Sequence, residues 1–542
     1  MIKATVDPAS VSQPKNYGLI VDKDVDVPLR DGLKLKCDVF RPDDGGRFAV
    51  IMTMGPYPKD EPIDYGGKAE ESGRYMHWET ANPEWWIPRG YVQVRVDMRG
   101  AGKSPGYCDI VSRQEAEDYC DAIEWAARQP WSNGNVGLMG ISYFAMNQWI
   151  VAGLQPPSLK AMIPWEGWGD VYRDCAYHGG IFADRFFTTW FWNRVVKRTL
   201  GENTEGWEKQ FAPFVDDLKK HELFDDYYRG RCAEWDKVKV PFLSAGNWGG
   251  PGLHLRGNTE AYVRAASSHK RLRLHTGTHI GPFYRMEGRL DQIRFFDYWL
   301  KGIDNGWPND PPVKLAIRVS KDEEYWRFEN EWPIARTEWA RFYLSAERGG
   351  VLTPSLPRKA GSVRYSAEGP RDESFRGASF KTAPMQLDME ITGPINLVMW
   401  VSSSVDDMDI FATLRNIAPD GSEVLFPEGR ALPYPVTKGW LRVSHRKLDP
   451  KPSTSYRPYL SHDEIGKLGP GEVVRVEVEI LPTSCVLRQG HCLRLDVQPW
   501  DDDAKTWFGH DNSARWHGEN SLYMGADKAS YLLLPVIPPV NA

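Results

Sequence analysis

As far as about residue 165 the chain alternates short apolar runs with helical stretches, and this alternation narrows the fold more than any other feature. Residues 49–54, 91–96 and 136–141 are compact, β-branched or apolar runs, the first two leading into glycine-rich loops. Residues 115–128 carry helical periodicity and are closed by Gln129-Pro130. Strands alternating with helices imply a mainly parallel sheet with helices on both faces. Before them, residues 21–41 read as a hairpin around Arg30-Asp31-Gly32.

Two further textures follow. Between about 166 and 239 Trp, Phe, Tyr, Asp and Arg dominate and strand patterns nearly vanish, which predicts a helical cap. Residues 241–245 and 272–275 then look like two more sheet strands, and a helix over 290–301 ends this portion near Gly302. From 311 onward short alternating runs are separated by Gly, Pro and Asp turns, the pattern of a sandwich or jelly roll. The expected division is an α/β core with a mainly parallel sheet over 1–165 and 240–310, a helical cap over 166–239, and a jelly-roll β-sandwich over 311–542.

Composition supplies boundaries. A chain of 542 residues exceeds what one core usually holds, so two or three domains are expected. Net charge is −6 with both signs interspersed, which argues against nucleic acid as a partner. No stretch approaches about 18 uninterrupted apolar residues, so no membrane span is expected. The seven cysteines are scattered, without zinc-site or disulfide-framework spacing, and the first 18 residues carry no apolar signal core. The expectation is reduced thiols in the cytoplasm. Oligomeric state, including a homo-oligomer, is left open.

The chemistry concentrates in Val136-Gly-Leu-Met-Gly-Ile-Ser-Tyr-Phe-Ala145. A strand leads into Gly140-Ile-Ser142 and a helix-compatible segment follows, which is most of the nucleophile elbow G-x-S-x-G. The second glycine is absent, and Ala145 is the small residue available there. Taken alone, such a serine is also read as a helix N-cap. A general base is supplied by His279, in a loop after the strand that contains His275; Gly277 makes a helical metal pair of these two histidines a poor reading. The oxyanion donors expected are the backbone N–H of Tyr143 and, from the loop after an early strand, the phenol of Tyr57, whose alternative is a turn aromatic packed between prolines.

Taken in order along nearly the whole chain, the motifs resemble the cocaine esterase and X-prolyl dipeptidyl aminopeptidase family. They are Arg30-Asp-Gly, Pro56-Tyr57, Asp97-Met-Arg-Gly-Ala-Gly-Lys-Ser-Pro-Gly106, Gly140-Ile-Ser-Tyr143, Asp170-Val-Tyr-Arg173, Thr278-His279 and Phe296-Asp-Tyr-Trp-Leu-Lys-Gly302, with Pro419-Asp-Gly421 and Pro482-Thr-Ser484 beyond. The resemblance implies an α/β-hydrolase core, a helical cap and a C-terminal jelly roll. It also implies Ser142 as nucleophile, His279 as base, and Tyr57 with the Tyr143 N–H as oxyanion hole.

One departure breaks the carry-over. The family places its triad aspartate in a turn where this chain reads Gly246-Asn-Trp-Gly-Gly-Pro-Gly252, without a carboxylate. The loop after the preceding strand, Pro164-Trp-Glu166-Gly-Trp-Gly-Asp170, can reach the same histidine, so Glu166 is expected as the acid, with Asp170 second. The alternative for Glu166 is an ion pair with a cap arginine. Trp165, Trp168, Phe187 and Trp190 are candidates to shape an acyl pocket, though core packing accounts for each equally well. The acidic runs Asp406-Asp-Met-Asp409 and Asp501-Asp-Asp503 lack EF-hand spacing and read as solvated loops. The expected function is a serine hydrolase acting on a small-molecule ester or amide without metal or organic cofactor. Its rivals are an X-prolyl-type aminopeptidase or β-lactam acylase, and a binding protein on a decayed hydrolase scaffold.

Overall fold

The structure is a computed structural model, described here for residues 6–61, 63, 72–250, 252–368, 375–430, 432–501, 508–510, 517–525 and 527–539. An opening hairpin, β1 (Gly18–Pro28) and β2 (Lys34–Asp43), pairs antiparallel and lies at one edge of a ten-stranded sheet. The sheet continues through β3 (Phe48–Gly55), β4 (Tyr91–Asp97), β5 (Ser132–Ile141), β6 (Leu159–Trp165), β7 (Phe242–Asn247) and β8 (Lys270–His275). Its order is β1-β2-β4-β3-β5-β6-β7-β8; β3 to β8 run parallel to one another, and β2 pairs antiparallel with β4. Parallel strands are covered on both faces and so read as continuous apolar runs; β4 is buried at every residue.

Helices pack on the two faces. In α1 (Arg113–Ala127), Ser112 caps the first turn by accepting from the Glu115 N–H at 3.1 Å, and the chain leaves at Gln129-Pro130. The other long helices are α2 (Tyr143–Leu154), α3 (Leu255–Arg264) and α4 (Met286–Lys301), the last ended by Gly302 at φ 70°. The sheet therefore aims the C-terminal ends of β3, β5, β6, β7 and β8 toward one rim, where ligands bind in open α/β sheets.

Two strands fall elsewhere than their alternation suggests. β9 (Val313–Arg318) pairs parallel with β8, and β10 (Glu324–Glu329) pairs antiparallel with β9, so both extend the first sheet rather than the β portion that begins at 311. Period-two alternation identifies a strand but carries no information about its partner. β9 is buried throughout because the C-terminal β domain covers it; the Arg318 guanidinium donates to the Ser484 carbonyl at 2.8 Å and the Thr483 hydroxyl at 2.6 Å.

That domain has its own apolar core, including Leu344, Ile395, Leu397, Leu414, Leu493 and Leu534. Pairing runs from Met389–Ser403 through Val474–Leu487, Thr437–Arg442, Asp409–Ile417, Cys492–Gln498, Ala378–Lys381, Val351–Thr353, Glu338–Ser345 and Tyr531–Ile537, then back to Met389–Ser403. The ring closes into a barrel, which leaves no long unpaired edge. The acidic runs are corrected here. Asp409 is buried against Arg442 at 2.8 Å, Asp407 accepts from the Met408 and Ser444 N–H groups, and Asp501 is buried against His510 at 3.0 Å. Each has a partner distant in sequence or a turn donor that makes burial tolerable. Asp502 and Asp503 lie outside the described residues.

Between β6 and β7 the chain forms short helices, among them Asp184–Trp190, Phe214–Lys220 and Asp226–Arg229, and a two-residue hairpin, Tyr177–His178 with Ile181–Phe182. The hairpin turn presses on the β domain: the Gly179 carbonyl accepts from the Arg442 N–H at 2.8 Å, and a Cβ on Gly179, at φ 56°, would lie 2.0 Å from the Trp440 carbonyl oxygen. Gly179→Ala should therefore destabilise the protein by about 2 kcal/mol or more, since neither backbone can yield. A melting curve should show a clear fall in apparent Tm; an unchanged Tm would mean that the two parts are not held this closely.

Candidate active site

Ser142 sits in the turn between β5 and α2. Its backbone is at φ 60°, ψ −114°, a conformation rare for a residue with a side chain. Four hydrogen bonds hold it there. The Ser142 N–H donates to the carbonyls of Trp165 and Glu166 at 3.0 and 3.1 Å, and the Ser142 carbonyl accepts from Ala145 and Met146 at 3.0 and 2.9 Å. Gly140 is required by close approach, because a Cβ there would lie 2.4 Å from the Phe144 Cβ. Phe144 stands where the motif has its second glycine, and the next residue, Ala145, packs against Gly167, where an added Cβ would lie 2.7 Å from the Ala145 Cβ.

His279, in the loop after β8, has a side chain 24% exposed. Its Nδ1 lies 2.6 Å from Glu166 Oε2 and its Nε2 lies 3.2 Å from Glu79 Oε1. Glu166 follows β6 directly, is fully buried, and stands at φ 50°. The other Glu166 oxygen accepts from Asn247 Nδ2 at 3.1 Å. Asn247 ends β7, in the segment where the carboxylate is missing; it also donates to the Gly277 carbonyl at 2.9 Å and accepts from the Gly249 N–H at 2.8 Å. The amide thus fastens Glu166 to the loop that carries the histidine. Burial pushes the Glu166 carboxyl above its usual range, with His279 and Asn247 opposing that shift. For His279 burial pulls the pKa down, but Glu166 and Glu79 outweigh it and raise it to about 10.

Strain marks the same locus. Ser142, Glu166 and Glu79 are all non-glycine residues at positive φ, of 60°, 50° and 58°. Such conformations cost about 1–3 kcal/mol each and persist where the surroundings over-determine them.

The oxyanion candidates lie against the elbow. Tyr143 opens α2, so its N–H belongs to the first turn, which has no intrahelical acceptor. Its phenol is directed elsewhere and donates to Glu115 Oε2 at 2.6 Å. The buried Tyr57 ring meets Tyr143 and Phe144 edge-on, with centroids 5.9 and 5.5 Å apart. Its hydroxyl oxygen accepts from Trp190 Nε1–H at 2.9 Å, which leaves the phenolic proton to point at another acceptor. Burial, and then the charge of Glu79, hold the phenol well above its ordinary pKa, so it remains a donor. Asp97 steadies this loop by accepting from the N–H groups of Lys59 and Lys103, both at 2.8 Å.

Other expected site residues are placed differently. Asp170 pairs with Arg173 at 2.8 Å and contacts Tyr459; no contact joins it to His279 among the described residues. Trp165 is fully buried, stacked on His275 and edge-on to Phe283, and Phe187 is fully buried among Trp168, Trp190 and Phe214, so neither lines an accessible acyl pocket. Trp168 stacks on His254, which in turn stacks on His279 with centroids 5.3 Å apart. Trp190 reaches the site through Tyr57. A cavity of about 100 Å³ opens beside Tyr57, lined also by Glu61, Ile63, His77, Trp78, Arg194 and Arg198. The β domain contributes too, since the Gly429 carbonyl accepts the His279 N–H at 2.6 Å.

For a metal, one carboxylate group stands out among the described residues: Asp24, Asp38 and Asp60. Lys23, Lys59 and Lys103 already pair with them, so the chain itself neutralises the cluster.

The family described as X-Pro dipeptidyl-peptidase (S15 family) matches residues 31–281, and the X-Pro dipeptidyl-peptidase C-terminal non-catalytic domain matches residues 305–533. A cocaine esterase of Rhodococcus is 26% identical over 96% of this chain and 99% of its own length. A putative serine esterase of Mycobacterium bovis is 24% identical over 87% and 89%. Among solved structures, a CocE/NonD family hydrolase of Staphylococcus aureus is 33% identical, covers 99% of both chains, and superposes with a TM-score of 0.90.

Proposed function

Because the chain belongs to the CocE/NonD family and is a serine hydrolase of the α/β-hydrolase fold with a C-terminal β domain, we propose that it cleaves a small ester or amide through an acyl-enzyme on Ser142. His279 takes the Ser142 proton as the hydroxyl attacks the carbonyl carbon. Glu166 holds the imidazole by Nδ1 and stabilises the imidazolium that forms. The Tyr57 hydroxyl and the Tyr143 N–H donate to the oxyanion, each well-placed donor being worth about 3 kcal/mol. His279 then protonates the leaving group, and water repeats the sequence on the acyl-enzyme. The observation that carries this reading is the hydrogen bond from His279 Nδ1 to Glu166 Oε2 at 2.6 Å, beside a serine held in a strained elbow.

Ester cleavage is placed first because the cocaine esterase spans 99% of its own length in the comparison, against 83% for an Xaa-Pro dipeptidyl-peptidase of Bacillus anthracis. The same reading takes the β domain as a jelly roll and the short helices over 166–239 as the cap of the core. It also places the protein in the cytoplasm, in keeping with seven unpaired cysteines.

The test is pre-steady-state hydrolysis of a 4-nitrophenyl ester, with the matching amide and an X-Pro arylamide in parallel. A burst of nitrophenol equal to the enzyme concentration, and kcat/KM highest for the ester, is expected. An X-Pro arylamide turned over faster than the ester would move the assignment to the peptidase. No turnover of any of the three by folded protein would favour the binding scaffold.

A further inference from the structure

Glu79 has no place in the catalytic cycle as described, yet its carboxylate lies 3.2 Å from the nitrogen of His279 that Ser142 requires. We propose that Glu79 is a positioning residue, which holds His279 by Nε2 in the resting enzyme and decides when the imidazole is free to serve the nucleophile. The inference rests on His279 being the base of Ser142.

The carboxylate is anchored by the elbow itself. Glu79 is 2% exposed and stands at φ 58°, and its carbonyl accepts the N–H of Ile141, the residue before Ser142, at 3.0 Å. One residue on, the Thr80 carbonyl accepts from the Tyr284 hydroxyl at 2.8 Å. The segment that carries the carboxylate is thus tied by a backbone hydrogen bond to the strand that ends in the serine elbow.

Proton counting gives the consequence. An ionised carboxylate only accepts hydrogen bonds, so a ring bonded to Glu166 at Nδ1 and to Glu79 at Nε2 is an imidazolium, unless the second proton sits on Glu79. In either form the Glu79–His279 pair carries one proton that must leave before Nε2 can accept from Ser142.

The groups around the ring do not cancel this. From the start of α3, His254 stacks on it, kept neutral by burial. From β8, His275 is likewise neutral by burial. From the β domain, Glu428 and Arg430 flank Gly429 and pair with each other at 3.3 Å. Arg194 acts on Glu79, favouring its ionised form against the burial that opposes it. The two carboxylates therefore dominate, in line with the raised pKa of His279. A raised base pKa delays the neutral imidazole to higher pH, so the acid limb of kcat/KM is displaced upward. Removing the Glu79 charge should bring it down.

The experiment is the pH profile of kcat/KM for a non-ionisable ester, over about pH 5 to 10, in wild type, Glu79→Gln, Glu79→Asp and His279→Ala. Glu79→Gln should move the acid limb down by about one pH unit or more, and Glu79→Asp, which keeps the charge, should restore most of the wild-type limb. A purely structural Glu79 would lower activity by the same factor at every pH and leave the limb in place, which overturns the proposal. If Glu79→Gln does not fold, Glu79→Ala takes its place as the variant without the charge, and an unmoved limb in folded Glu79→Ala enzyme overturns the proposal. If His279→Ala retains wild-type turnover, the reading of His279 as base has failed and the proposal falls with it. If His279→Ala is inactive while the Glu79→Gln limb is unmoved, the Glu79 proposal alone has failed.

Discussion

Ser142→Ala should lower kcat for a reactive ester about 10⁶-fold, to the residual rate that oxyanion donors and binding alone support. The effect is expected to be this large because the nucleophile, base and acid act as one unit, so losing the attacking atom makes the others idle. The fold should survive. The Ser142 contacts that shape the elbow run through its own N–H and carbonyl, which alanine retains, and the side chain makes no capping hydrogen bond. Alanine must still adopt φ 60°, at a cost of about 1 kcal/mol, which serine already bears. A folded Ser142→Ala protein with near-normal kcat would show that the reaction proceeds elsewhere.

Glu166→Gln should lower kcat about 10⁴-fold, as expected when the group that orients a catalytic imidazole is replaced by its amide. The neutral amide removes the charge that stabilises the imidazolium, and its NH₂ group competes for Nδ1 and favours the wrong tautomer. The replacement is nearly isosteric, and Asn247 still finds a carbonyl oxygen where Glu166 Oε1 was, so stability should change little. Asp170→Asn is the matched control. Asp170 pairs with Arg173 rather than with the histidine, so its loss should appear mainly in stability. A Glu166→Gln enzyme within tenfold of wild type would remove Glu166 from the acid role.

What the sequence made legible was what local geometry encodes. The strand, Gly140, Ser142 and the following helix are contiguous, and a strand-to-helix turn with a close approach at Gly140 leaves few alternatives. Glu166 drew attention through an absence: the segment ending in Asn247 lacks a carboxylate, and the neighbouring strand end is the other position within reach of the same loop. Glu79 left no such trace. It lies between Trp78 and Thr80, in a loop without spacing or periodicity, and its contact with His279 spans 200 residues. A lone carboxylate reads the same in a solvated loop as in a site.

The sheet assignment failed for a related reason, since the alternation of β9 and β10 does not reveal which edge they join. The buried aspartates Asp407 and Asp409 read as solvated because the groups that satisfy them, Ser444 and Arg442, lie more than thirty residues away. Trp165 illustrates a third limit. It is next to Glu166 in sequence, yet its ring is fully buried against His275 and Phe283.

The central claim is that Ser142 is an activated nucleophile, and the most direct measurement is intact mass and peptide mapping after incubation with a fluorophosphonate, on wild type and on Ser142→Ala. A single adduct on the peptide containing Ser142, absent from the variant, is the expected result. Folded wild-type protein that takes up no adduct, or one that carries it on another serine, would contradict the account.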